Sequence, residues 1–123
     1  MPIATSDSLL GLGTPPQLAA LMGANPLIQN GAANNSQTGA TTIRSRNLEV
    51  NPGASTNSFI FPATIGVMEP YFIVNFSGQT ANIFPAVGQT MNNTLNGGFA
   101  LATAKAAIVW QYKKGFWASI LTA

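Results

Sequence analysis

Tyr71-Phe72-Ile73-Val74-Asn75-Phe76-Ser77-Gly78-Gln79-Thr80-Ala81-Asn82-Ile83-Phe84-Pro85 opens the part of the chain whose reading decides the fold. It continues through the glycine-rich joint Asn96-Gly97-Gly98 to Phe99-Ala100-Leu101, then Ala106-Ala107-Ile108-Val109-Trp110-Gln111-Tyr112, and ends at Gly115-Phe116-Trp117. Short apolar runs punctuated by turn residues predict strands joined by tight turns, so the fold class is all-β and the expected domain small and antiparallel. Nothing in the stretch supplies reactive chemistry. What such a domain holds on to therefore becomes the functional question.

Working outward, Tyr71 to Phe76 is the most continuous apolar run and is long enough for a strand buried on both sides. Ser77-Gly78 turns it toward Thr80–Phe84, which Pro85 stops because proline cannot donate to a ladder. Asn96-Gly97 tolerates left-handed backbone and predicts a hairpin between Thr90–Leu95 and Phe99–Leu101. A last hairpin is expected across Lys113-Lys114-Gly115. Upstream, Thr41–Arg46 reads as a strand with one wet face, and Ser58–Phe61 as another ending at Pro62. Ile65–Met68 adds a short apolar piece before Pro70.

The leading segment differs. Leu9, Leu10 and Leu12 are interleaved with Gly11 and Gly13, a glycine density that opposes regular structure. Thr14-Pro15-Pro16 followed by Gln17–Met22 and Gly23 has a capping residue, an N-terminal proline and a C-terminal glycine, which predicts a short helix at about 15–22. Leu18, Leu21 and Met22 share one face of it, and so short a helix needs a surface to bury that face. Residues 30–40 contain no large apolar side chain and read as a linker. The expected organisation is an N-terminal arm and linker over 1–40, carrying Leu9, Leu10, Leu12, Leu18, Leu21, Met22, Leu27 and Ile28 as binding anchors, then a β domain over 41–123.

Composition narrows the function. Of 123 residues only 7% are charged, with five Lys or Arg against three Asp or Glu. So few charges leave a surface of amides, hydroxyls and apolar atoms, the composition of surfaces that partners cover. The basic residues are too sparse for a nucleic-acid footprint. Arg44 and Arg46 read as the solvated face of a strand. The start of the chain lacks a basic leader, and no apolar run approaches the ~20 residues needed to span a bilayer, so neither a signal peptide nor a membrane partner is expected.

Catalysis is not expected either. With no His and no Cys, the commonest general base and the commonest low-pKa nucleophile are absent. A carboxylate pair would have to use Glu49 and Glu69. No cofactor, metal or small-molecule substrate is called for. Phe59, Phe61, Tyr71, Phe84, Trp110 and Trp117 are expected as core or subunit-interface aromatics; for the two tryptophans a stacking platform for sugars or bases is the sharper alternative.

The order Val74-Asn75-Phe76-Ser77-Gly78, then Ala81–Asn92, then Ala104–Ile108, then Gly115-Phe116-Trp117 resembles a β module of tailed-phage virions. That module occurs in capsid decoration (cement) proteins and at the ends of head and tail fibres. The resemblance covers about residues 58–121, departs at the longer Thr94–Phe99 segment, and does not reach residues 1–40. It implies a small β-sandwich or jelly-roll-like domain, a homotrimer, and a place on the outer capsid surface after synthesis in the host cytoplasm. The function it implies is decoration and stabilisation of a shell. The arm would grip the major capsid protein and the β domain would self-associate. A host-glycan-binding tip of a fibre or spike is the alternative.

Overall fold

The computed structural model describes residues 26–123. The expected helix and the anchors Leu9, Leu10, Leu12, Leu18, Leu21 and Met22 lie outside the described residues. Within them the protein is all-β. Its strands are β1 (Leu27–Asn30), β2 (Thr41–Thr42), β3 (Asn47–Asn51), β4 (Ser58–Ile60), β5 (Tyr71–Asn75) and β6 (Ala81–Phe84), then β7 (Thr90–Met91), β8 (Thr94–Leu95), β9 (Phe99–Leu101), β10 (Lys105–Lys113) and β11 (Phe116–Leu121).

The first six strands alternate between two sheets. β1, β3 and β5 are parallel neighbours in a seven-stranded sheet, ordered β1-β3-β5-β10-β11-β7-β8. β2, β4 and β6 are parallel neighbours in a four-stranded sheet completed by β9. The chain thus winds as a short solenoid, each coil giving one strand to each sheet, before antiparallel β9, β10 and β11 close it. This corrects the expectation of a wholly antiparallel domain, which holds only for β9 with β6, β10 with β5 and β11, and β7 with β8, since β11 runs parallel to β7. Strand-type residues and turn signals specify extended segments and corners; they do not specify whether the next strand pairs with the last one or crosses to the other sheet.

Three local expectations also change. Strand pairing begins at Leu27, ahead of residue 41, because β1 lies in register with β3 from Leu27↔Leu48 to Asn30↔Asn51. The tight hairpin turn falls at Asn92-Asn93, both at positive φ, with β7 and β8 on either side, whereas β9 pairs with β6. Asn96-Gly97 still turns the chain, with Asn96 at φ 53° and the Gly97 amide donating to the Thr94 carbonyl at 3.0 Å, but that turn sends the chain across to the other sheet. Finally, the strand expected over 41–46 is only two residues long, since Ile43 and Arg44 donate their amides to the Ile60 carbonyl and the Gln29 side chain in a corner.

The segment 30–40, apolar-poor and linker-like in sequence, is the ordered corner between β1 and β2. Ala32 and Ser58 exchange two backbone hydrogen bonds, and the Ser36 and Asn35 amides donate to the side chains of Ser58 and Asn57. Small residues are required because adjacent coils touch there. A Cβ on Gly31 would stand 2.2 Å from the Thr56 carbonyl oxygen.

Both sheets contribute to one core. Leu48, Val50, Ile73 and Val109 from the large sheet meet Phe59, Ile83 and Leu101 from the small one. Trp117 is fully buried, stacks on Phe61 at 4.4 Å between ring centroids, and donates its indole N–H to Gln89 at 2.7 Å. Buried polar side chains are satisfied. Asn75 donates to the carbonyls of Gln79 and Leu101, and Gln111 to that of Ile65, so these amides staple turns to strands.

Candidate interaction face

Strand alternation sends Tyr71, Ile73, Ala107, Val109 and Trp117 inward to the core. The intervening positions of the same strands face outward and are also apolar. Register places Phe72, Ile108 and Ile120 side by side in one row across β5, β10 and β11, with Val74 and Ala106 in the row beside it and Trp110 beside Ala118 on the other flank. Tyr71–Phe76 therefore corrects to a strand buried on one side only: Phe72 is 37% exposed, and Ile108 and Ile120 are 40% and 60% exposed.

The face has relief. At one end Phe72, Val74, Ala106, Ile108, Ile120 and Thr122 line an open groove of about 290 Å³. At the other end the register slips between Gln111 and Lys113 at a bulge, which re-aims Tyr112 beside Phe116, their ring centroids 6.3 Å apart. The Lys113 ammonium sits 4.3 Å from the Phe116 ring centroid and marks that end of the ridge. Glu49, in register with Val74, marks the opposite margin. Between them the face carries no charged side chain.

The aromatic set divides accordingly. Phe59, Phe61, Tyr71 and Trp117 are core residues, Phe84 is half-buried against Gly98, and Trp110 alone stands on the outer face. Leu27 and Ile28 form the start of β1 at the sheet edge, 37% and 61% exposed. Arg46 donates from Nε to the Pro70 carbonyl at 3.1 Å and so ties a corner of the fold.

No known protein family, curated protein or solved structure matches the chain.

Among the described residues no group of three or more His, Cys, Asp or Glu side chains could hold a metal ion. Glu69 accepts the Gly66 amide at 3.3 Å within its own turn. Glu49 stands on β3 in register with Val74, whereas Glu69 lies ahead of β5, so the two candidate carboxylates sit on separate elements. Among the described residues no helix is long and apolar enough to cross a membrane.

Sequence reading missed the outer face because both sides of β5 and β10 are apolar, which looks the same as a strand sandwiched between two layers. A signal for the coils was present. Leu27-Ile28-Gln29-Asn30-Gly31, Leu48-Glu49-Val50-Asn51-Pro52-Gly53 and Ile73-Val74-Asn75-Phe76-Ser77-Gly78 each run from an aliphatic residue to asparagine and then glycine. These are the ends of β1, β3 and β5, and the Asn51 side chain donates to that of Asn30 at 2.8 Å across neighbouring coils.

Proposed function

We propose that this chain is a structural protein of a phage virion that decorates and stabilises the capsid, gripping the major capsid protein through its leading segment and other copies of itself through the β domain. It acts without catalysis, cofactor or nucleic acid. The observation that carries the reading is the uncharged apolar face of β5, β10 and β11. Five of its side chains, at 36–60% exposure, present on the order of 400 Å² of apolar surface, a size at which a patch is commonly a contact site. The resemblance to virion decoration modules supplies the setting. Within it, the two sheets around one core are read as a small β-sandwich whose first half is coiled, in place of jelly-roll hairpins.

The test removes residues 2–25 and leaves β1 intact. The shortened protein should keep its β spectrum and lose cosedimentation with purified shells. Binding retained at full strength overturns the assignment of the leading segment to the capsid. The half-buried Trp110 beside Tyr112 favours the second reading, a glycan-binding fibre tip, because sugars stack on such rings. That reading ranks lower since few polar groups converge there to take sugar hydroxyls. A glycan-array hit without shell binding reverses the order.

A further inference from the structure

We infer that the outer face of the seven-stranded sheet is a twofold interface, on which a second copy of this chain packs face to face with its strands reversed. This deepens the self-association proposed above and rests on that reading.

The first argument is shape. Groove and ridge lie on the same face, at opposite ends of β10 and β11. A twofold axis in the plane of the face, crossing β10 between the Ile108 and Trp110 rows, exchanges those ends. Each copy's Tyr112–Phe116 ridge then enters the other's groove between Phe72 and Ile120, and each Ile108 meets the partner copy's Trp110. An isologous contact requires one patch complementary to itself, and this face carries both halves of the fit.

The second argument is area. The exposed Phe72, Ile108, Tyr112, Phe116 and Ile120 with the half-buried Val74, Ala106, Trp110 and Ala118 between them give a face on the order of 500 Å² per copy. Two such faces bury ~1,000 Å², the size of a weak, reversible pair. The third is charge. Glu49 and Lys113 stand at the margins and the centre is uncharged, the arrangement of an interface core inside a polar rim. The inferred twofold pair differs from the trimer that the sequence resemblance implies.

The experiment measures the native mass of the full-length chain over a dilution series. Wild type should be a dimer dissociating in the micromolar range. Ile120→Glu and Ile108→Glu should each weaken pairing at least 100-fold; both residues are 40% or more exposed, so circular dichroism should show the fold retained. If Ile108→Glu fails to fold, Ile120→Glu alone decides. Mixing Ile108→Glu with Trp110→Lys should restore a heterodimer, because the two new charges oppose each other only in the reversed register. A monomer, a trimer, or a dimer indifferent to Ile120→Glu overturns the inference. So does a dimer lost when residues 2–25 are removed, which would assign the groove to that segment. Shell cosedimentation is read in parallel: dimerisation without shell binding defeats the decoration reading alone, and shell binding by an obligate monomer defeats the twofold pair alone.

Discussion

The indole N–H of Trp117 donates to the side-chain oxygen of Gln89 at 2.7 Å, joining the last strand to the loop that precedes β7. Trp117 is otherwise enclosed by the core and stacked on Phe61. Trp117→Phe keeps an aromatic ring but removes the donor and leaves a void where the second ring was. It should cost about 2–3 kcal/mol in equilibrium unfolding. Trp110→Phe, on the outer face, should cost less than about 1 kcal/mol when the protein is dilute. Equal losses would mean that the two indoles occupy equivalent environments.

The turn at Asn92-Asn93 gives a second expectation. Both residues have positive φ, 49° and 69°, which a two-residue hairpin of this hand requires. Asn92 is also held by its side chain, which donates to the Ser119 hydroxyl at 2.7 Å and accepts the Ser119 amide. Asn93→Gly should therefore be neutral or slightly stabilising, whereas Asn93→Val should cost about 1–2 kcal/mol. Thermal melts of the two variants check this. Indifference to valine would move the turn away from these residues.

How much was legible follows from these cases. Strand-forming runs at 58–61, 71–76, 81–84 and 105–121 were readable because β-branched and aromatic residues bounded by Pro, Gly and Asn specify extended chain locally. The pairing of those strands was not readable, since Leu48 contacts Leu27 and Ile73 across coils that no local pattern links. β3 was hidden by its polar alternate positions Asn47, Glu49 and Asn51. β1 was hidden by the apolar-poor corner after it, whose small residues serve contact between coils. The interaction face was hidden for a different reason. An apolar outer position reads as core until the second layer that should cover it is found to lie on the opposite side.

Tyr71 links the core to pH. Burial, followed by the nearby Glu69 carboxylate, raises its phenol pKa above the ordinary value of 10.0, and Arg46 opposes with a smaller effect. The folded state therefore holds the proton more tightly than the unfolded chain. That contribution is fully present below about pH 10, and it is lost as pH rises through the folded-state value. Urea midpoints should fall more steeply above about pH 10 in wild type than in Tyr71→Phe. An ultraviolet titration should show one late-ionising tyrosine that the variant lacks. Identical alkaline profiles would place the phenol in water.

The boundary of the folded unit is the remaining question, and it turns on Gln29. This side chain is 3% exposed, donates to the Thr42 carbonyl at 2.8 Å and accepts the Arg44 amide at 3.0 Å, so β1 supplies both partners of the corner that enters β3. A chain beginning at residue 41 would leave those groups unpaired and bare one side of Leu48 and Val50, which are fully buried. Such a fragment should lose about 3 kcal/mol or more, while one beginning at residue 26 should unfold at the midpoint of the full-length protein. A point substitution probes the same junction without truncation. Gly31→Ala drives a methyl group into the Thr56 carbonyl and should cost about 2 kcal/mol or more, against little for Gly78→Ala, where a Cβ meets nothing within 4 Å. If the fragment from 41 proves as stable as the fragment from 26, the first coil contributes nothing to the fold and β1 belongs with the arm.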